Sequence, residues 1–390
     1  MEDVQSSTTN IQQMQKIILI ALMLALLSCK QQQKKRYTYD RTISFDVYSS
    51  SYWSGYVEEG DFFYTTNLGT QTMRFYDSKG KEVNRLNLEH VTAPNTNGFQ
   101  VKVLTRNDIY LLDYATRFIY RLDSLGQVKT QVKFYNLESN KAVWPYFTND
   151  IEGIEGETIL LDFAYMDPLQ NESLEMKVEA EKYRPCFGKI EGFDSDARLV
   201  YSNLTPAYLT EQAKKNKEEH FSSYTSAILT KNQVLFVDRS ANLIYVLDRQ
   251  TLQVKRTVAI ESEYTDTSID RFTFYTKEKA KTVNFTDYNY EYATSVNQII
   301  YDPYRNTFLV VLAHRADVEK NPEQKYTNRP FSIITYDEAL NKIDEQVFYN
   351  RKYDFYKSMF PTKEGLLIHS NSKMNPNYKT NTLSYDLFKI

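Results

Sequence analysis

The chain predicts an all-β fold, a β-propeller, and two observations carry that prediction. The first is a strand-pair pattern that recurs at irregular intervals. One copy reads Ile109, Tyr110, Leu111, Leu112, Asp113, a short turn, then Phe118, Ile119, Tyr120, Arg121, Leu122, Asp123. Another reads Val234, Leu235, Phe236, Val237, Asp238, then Leu243, Ile244, Tyr245, Val246, Leu247, Asp248. Units of this kind cannot bury their apolar faces alone, so they pack side by side into an array. The second observation is composition. The 390 residues are 42% hydrophobic, 14% aromatic and 25% charged, which supplies a packed core, and 32 Tyr against 11 Gly suit half-buried strands. Propellers close this length into one ring, so no second domain is required.

The chain begins with an address. Residues 17–27 are an unbroken apolar run, preceded by Lys16 and followed by Ser28 and Cys29. That is short of the roughly 20 residues of a membrane span and has the length of a signal-peptide core. Residues 1–28 are therefore expected to be a signal peptide, with Met14 the preferred start because Met14, Gln15 and Lys16 make an ordinary charged region. Leu26, Leu27, Ser28 and Cys29 resemble a bacterial lipobox, which implies a diacylglycerol on the Cys29 sulfur and a lipid anchor in the membrane. Residues 29–36 read as a lipidated tether. Lipoproteins of the Bacteroidota destined for the cell surface carry an acidic cluster after the Cys. This tether, with Lys30, Lys34, Lys35 and Arg36, is basic and polar, which favours the periplasmic face of the outer membrane over the cell surface.

Residues 37–390 are expected to form a single propeller domain, each blade having strands A to D from the axis outward. The first blade reads 56–57, 62–65, 73–76 and 83–88, and the second 101–104, 109–112, 118–122 and 128–134. A third runs through 158–163, 187–190 and 198–204, interrupted by an insertion. The fourth is 227–229, 234–237, 243–247 and 254–260, and the fifth 298–301, 308–312, 331–336 and 345–349. The last has 366–369 and 382–390 and stops at its C strand. Residues 37–45 alternate like a strand and supply the missing D strand, which closes the ring and covers an open edge. The count is six blades, or seven if 261–295 holds another.

On the Ile109–Asp113 and Ile119–Asp123 hairpin, Tyr301, Asp302 and Pro303 before a strand, and the lipobox ending at Cys29, the chain resembles the six-bladed propeller lipoproteins of the Bacteroidota. More narrowly it is similar to the group known as domain of unknown function 4221. The resemblance implies the fold and the anchor. It brings no functional residues with it.

The connections are lopsided. A-to-B turns (58–61, 106–108, 231–233) and C-to-D turns (77–81, 123–127) are short. The long segments are B-to-C (166–185, 315–330, 370–379) or D-to-A (135–149, 205–226, 261–295, 350–357), and in a propeller these emerge on one face. That crown is where binding is expected. It is rich in aromatics: Trp144, Tyr146, Phe147, Tyr208, Tyr264, Tyr288, Tyr290, Tyr292, Tyr326, Tyr353, Phe355, Tyr356 and Tyr378. Such rings anchor protein partners or stack on sugars, and some only pin the loops. Residues 206–219 read as a helix with Thr205 as N-cap and Pro206 at its first position.

Asp113, Asp162, Asp238, His314 and His369 lie at the ends of B strands and are expected to ring the channel mouth. Converging carboxylates and imidazoles orient a substrate or hold a cation. The plainer role for each Asp is to cap its own turn. No HxH or EF-hand spacing occurs, so no metal centre is expected, and the scarcity of Gly counts against phosphate-binding loops and the cofactors they hold. A net charge of −3 gives no electrostatic preference for nucleic acid. Beyond Cys29 the only Cys is Cys186, which leaves the folded domain no internal disulfide and reads as structural.

The function expected from these features is non-enzymatic binding, with a protein or glycan partner on the crown. The alternatives are a glycan hydrolase or lyase drawing acid and base from the Asp and His ring, and a passive subunit of an envelope complex. Cys29→Ser is expected to shift the protein from the detergent phase to the aqueous phase with its melting temperature unchanged. Equal partitioning of the two forms removes the lipoprotein reading.

Overall fold

The central residues of the B strands in the two clearest repeats, 109–112 and 234–237, are apolar because they are buried on both sides. In the computed structural model Ile109 and Leu111 pack toward the preceding blade, while Tyr110 and Leu112 pack toward the next. Val234 and Phe236 likewise face one neighbour, and Leu235 and Val237 the other. The structure describes residues 37–47, 51–57, 59–92, 99–113, 115–116, 118–133, 143–147, 154–155, 158–165, 185–205, 208–209, 225–238, 242–267, 293–316, 329–349, 351–355 and 359–390.

The chain enters along β1 (Thr38–Asp46). The first blade is β2 (Ser51–Val57), β3 (Phe62–Asn67), β4 (Thr72–Asp77) and β5 (Glu82–Asn87), and the second is β6 (Phe99–Thr105), β7 (Asp108–Asp113), β8 (Phe118–Leu122) and β9 (Val128–Lys133). The third holds β10 (Val143–Phe147), the two-residue β11 (Ile154–Glu155), β12 (Thr158–Tyr165), β13 (Phe187–Glu191) and β14 (Arg198–Tyr201). The fourth is β15 (Thr225–Leu229), β16 (Gln233–Asp238), β17 (Leu243–Asp248) and β18 (Val254–Ala259), and the fifth is β19 (Ser295–Asp302), β20 (Thr307–Ala313), β21 (Phe331–Tyr336) and β22 (Lys342–Phe348). Last come β23 (Phe360–Pro361), β24 (Leu366–His369) and β25 (Thr382–Lys389). The last sheet has the order β1-β25-β24-β23, so the N-terminal strand is the outer strand of the final blade. Six blades form an all-β propeller.

One expectation about the elements is corrected. Residues 135–149 are not all loop, because Val143–Phe147 pairs with β12 as the innermost strand of the third blade. Pro145 hides this strand in the sequence, yet an edge strand tolerates a residue with no N–H to donate. The start of the expected helix is present: Thr205 Oγ1 accepts the Tyr208 N–H at 3.1 Å, and the Thr205 carbonyl accepts that of Leu209 at 2.9 Å. Its remainder, 210–219, lies outside the described residues. So do the signal-like segment, Cys29 and the tether.

The short turns have a shared chemistry. Asp77 Oδ1 accepts the amides of Lys79 and Lys81 at 3.0 and 2.9 Å, and Asp123 Oδ1 those of Leu125 and Gln127 at 2.8 and 2.9 Å. Asp248 and Asp337 end their C strands in the same way. Each turn then needs one residue with positive φ, filled by Gly80, Gly126, Leu252 and Leu340. The Asp that closes each repeat in the sequence is thus a turn device.

Closure rests on β1. Its register runs from Thr38↔Lys389 to Asp46↔Thr382. Thr42 Oγ1 donates to the fully buried Asp386 at 2.7 Å, and Tyr353 Oη and Lys352 bind the other carboxylate oxygen. Phe45 stacks on Tyr76 at 4.8 Å and meets Phe63 at 5.1 Å, which joins the last blade to the first. Phe45→Ala is therefore expected to destabilise the fold by about 3 kcal/mol or more, as core Phe truncations do. Val83→Thr, on an exposed outer strand, should stay within about 0.5 kcal/mol. Urea denaturation of both variants measures the difference, and equal midpoints would contradict the closure role of Phe45.

Candidate functional site

With strand order fixed, the two faces can be compared. A-to-B and C-to-D connections other than 148–157 are tight, the longest C-to-D turn being 192–197. The crown face carries 166–186, 202–224, 260–294, 314–330, 349–359 and 370–381. The crown end of the inner strands is therefore the candidate site.

The five residues expected to ring the channel mouth all come from B strands, but those whose side chains are described turn inward to their own blades. Asp113 ends β7, fully buried, and its Oδ1 accepts the Ala115 amide at 2.8 Å. It does what a turn-capping Asp does. His369 ends β24 with its ring edge-on to Tyr385 at 5.7 Å. Asp162 pairs in register with Tyr146 and Phe187, and Asp238 is the last residue of β16. Among the described residues no three His, Cys, Asp or Glu side chains are placed to share a metal ion.

His314 follows β20 directly and is the most informative of the five. Its Nε2 is 2.6 Å from Ser332 Oγ, and Ser332 in turn hydrogen-bonds Glu345. Glu345 also accepts from Ser262 Oγ at 2.6 Å, from the Glu263 amide at 2.9 Å and from Lys342 Nζ at 2.8 Å. Burial alone would raise the Glu345 pKa, but these donors outweigh it and hold the carboxyl below its ordinary value. A charged Glu345 only accepts, so Ser332 donates to it and receives the Nε2–H of His314. Burial, with Arg329 nearby, pushes the His314 pKa down from 6.5 to about 4 against the opposing pull of Glu345. The hydroxyl lies between imidazole and carboxylate. A serine nucleophile needs the imidazole in the middle, so this row is a buried structural network.

Beside it stand residues that sequence reasoning missed. Arg329 is buried, and donates through Nη1 to the Ala293 carbonyl at 2.6 Å and through Nη2 to Ser295 Oγ at 3.2 Å. These bonds fix the crown end of β19. Two residues on, the β19–β20 register slips between Val296 and Gln298, leaving Asn297 as the extra residue of a bulge on the innermost strand. Asn297 is 5% exposed, and among the described residues neither Nδ2 nor Oδ1 has a hydrogen-bond partner. An unmet buried amide costs about 1–3 kcal/mol, a cost that a water or a ligand bonded to Asn297 would remove. No sequence signal marks a bulge of this kind.

The expected crown aromatics divide four ways. Tyr264 and Tyr378 are exposed on crown connections, and Tyr208 on another is partly buried. Trp144, Tyr146 and Phe147 belong to β10, an inner strand, and not to a crown loop. Tyr353 and Phe355 are buried beside Phe348 and Phe331, where they join the fifth and last blades. Tyr288, Tyr290, Tyr292, Tyr326 and Tyr356 lie outside the described residues. Cys186 is buried beside Phe187, Leu204 and Leu209, a structural setting.

No family model matches the chain, and no curated protein matches it. Among solved structures, the chain is similar to a member of the domain of unknown function 4221 family from Bacteroides vulgatus. The two share 17% identity over 92% of this chain and 99% of that one, with a TM-score of 0.67. That likeness is one of fold, and it meets the expectation of a six-bladed propeller drawn from the hairpins. The Cps50 (Swd1) β-propeller domain from Myceliophteria thermophila is 9% identical, with 91% and 100% covered and a TM-score of 0.44. A luciferin-regenerating enzyme is 10% identical, with 90% and 97% covered and a TM-score of 0.44. Similarity at that level carries no argument about this chain.

The His314 network has a pH signature. The unfolded chain binds a proton near pH 6.5 that the native state refuses until about pH 4, so this residue's contribution is full above 6.5 and is lost as pH falls toward 4. The loss is up to about 3 kcal/mol. Glu345, with its lowered pKa, adds loss in the same direction on further acidification. His314→Gln keeps a donor for Ser332 and does not titrate. Its stability, measured by denaturant titration at a series of pH values, should fall less steeply than wild type between pH 6.5 and 4, and parallel curves would remove the assignment.

Proposed function

We propose that this protein is a lipid-anchored binding protein of the bacterial envelope, held on the periplasmic face of the outer membrane, with a protein or glycan ligand at the crown end of the channel. The observation that carries the reading is the unmet amide of Asn297 on the innermost strand, at the end where the long connections gather. Bulges concentrate beside binding and active sites because they re-aim a side chain without disturbing the sheet around it. An amide offers one donor group and one acceptor, which suits a sugar hydroxyl or a peptide group. The anchor rests on Cys29 and the basic tether.

Recognition is favoured over glycan cleavage by how Asp113 and His314, and Glu345 beside them, are engaged. Cleavage by the usual route needs two carboxyl groups facing one bond. Asp113 is held by its own turn, Glu345 by Lys342 and two serines, and His314 by Ser332. The crown end of the fifth blade is in this respect a rigid frame.

Asn297→Leu keeps the branched side-chain skeleton and removes the unmet amide. It is expected to raise stability by about 1 kcal/mol while weakening ligand capture, the trade-off of a residue held for binding. A glycan array and a pull-down from solubilised envelope, each with wild type and variant, supply the binding measurement, and urea melts supply the other. A variant that loses stability and captures the same ligands equally well would end this assignment.

A further inference from the structure

The exposed apolar side chains gather on one blade. Among the described residues eight large ones are exposed, and four of these, Tyr39, Tyr349, Met374 and Tyr378, come from segments that meet at the outer shoulder of the last blade. Tyr39 is the second residue of the closing strand β1. Its ring lies edge-on to Phe388 at 6.2 Å and receives Lys352 Nζ at 5.5 Å from its centroid. Phe388 also meets Phe348, the residue before Tyr349, at 5.4 Å. The Lys352 carbonyl accepts the Ser372 amide at 3.3 Å, which brings in the loop 370–381 with Met374 and Tyr378. That loop is braced from within, since Asn371 Oδ1 accepts the Lys379 amide at 3.0 Å.

The charges here lean one way. Lys352 is taken by the buried Asp386, Lys389 by Asp40 and Arg41 by Glu364. Lys373 and Lys379, however, stand exposed on a loop that contains no acid. The tether is likewise free of acids and carries Lys30, Lys34, Lys35 and Arg36. Exposed Tyr and Lys together fit a lipid surface with anionic headgroups: the ring settles at headgroup depth with its hydroxyl in water, and the ammonium is drawn to phosphate. The chain outside the propeller makes that surface the partner at hand. From Cys29 to Thr38 it spans at most about 30 Å, so the start of β1 stays within that distance of its anchor. Confinement on that scale corresponds to an effective concentration of about a millimolar, at which weak contacts are filled.

We propose that this shoulder docks on the anionic lipid surface that holds the anchor, with Tyr39, Tyr349 and Tyr378 in the headgroup layer and Lys373 and Lys379 on lipid phosphates. The proposal rests on the lipid anchor at Cys29 and goes beyond it. A tether alone lets the ring turn in any direction. Docking fixes it by the last blade and sets the third blade, across the ring, furthest from the lipid.

The full-length protein in vesicles of phosphatidylglycerol and phosphatidylcholine tests this. Single reporter cysteines are labelled with a fluorophore and quenched by a spin label on the lipid headgroup. The sites are Asn377→Cys in the loop 370–381, Arg198→Cys on the outer strand of the third blade and Asn232→Cys in an A-to-B turn of the opposite face, all exposed. Cys186 is buried and does not compete for the label. Quenching at 377 is expected to exceed that at 198 and 232 by about threefold or more, and to fall by about the same factor in phosphatidylcholine alone or at about 0.5 M salt. Combining Tyr349→Ser, Lys373→Gln and Lys379→Gln should cause a similar loss with the melting temperature nearly unchanged, since all three side chains are exposed. Equal quenching at the three sites, stronger quenching at 198 or 232, or quenching at 377 that neutral lipid or the combined variant leaves intact overturns the docking alone. Vesicles that float without the protein overturn the anchor, and the docking with it.

Discussion

Everything in this fold depends on one constraint: a blade has two apolar faces and no way to bury either except against another blade. The junctions are mixed clusters of aliphatic and aromatic side chains. Between the fifth and last blades rings contribute as well, with Phe331 and Phe348 stacked at 5.0 Å and Phe388 edge-on to Phe348 at 5.4 Å. Stability is thereby a property of the ring. No single blade holds it, and the loops at either end are relieved of supplying it.

That relief allows the two ends to differ. On one face the aspartates that finish C strands hold the chain in tight, self-bonded turns. Cross-blade polar contacts there also join neighbours, as where Arg305 reaches from Asp302 to the Thr362 carbonyl. On the other face the fifth blade carries a buried row from His314 through Ser332 to Glu345. Ser262 and the Glu263 amide draw the chain leaving the fourth blade onto it. The crown loop 370–381 is knitted by its own residues, Asn371 bonding the Lys379 and Thr382 carbonyls. Long connections here are held by polar contacts at their roots.

How much of this was legible in the sequence depended on periodicity. Strands with apolar residues on both faces, such as Ile109–Leu112, announce themselves, and the unfinished last blade pointed to residues 37–45 as its missing strand. The inner strand at Val143–Phe147 did not, because Pro145 breaks the pattern and an edge strand has no second partner to enforce it. Asp113 was legible because turn capping is local. The partners of His314 were not: Ser332 and Glu345 reach it through the register of three strands, which spacing along the chain does not encode. Asn297 was the least visible, since one extra residue in a strand leaves no trace in composition.

Joining the first strand to the last also has a consequence for synthesis. The bond from Thr42 to Asp386 spans 344 positions in the chain. On the ribosome the earliest strand must wait for the latest, and until then both ends of the growing stack present unpaired backbone and bare apolar faces. Contacts of such long range form slowly, because chain entropy is lost before they return any stabilisation. The nascent protein therefore passes through a long interval in which its principal hazard is sticking to another copy of itself, and the Thr38–Asp46 strand is the segment a chaperone would gain most by covering.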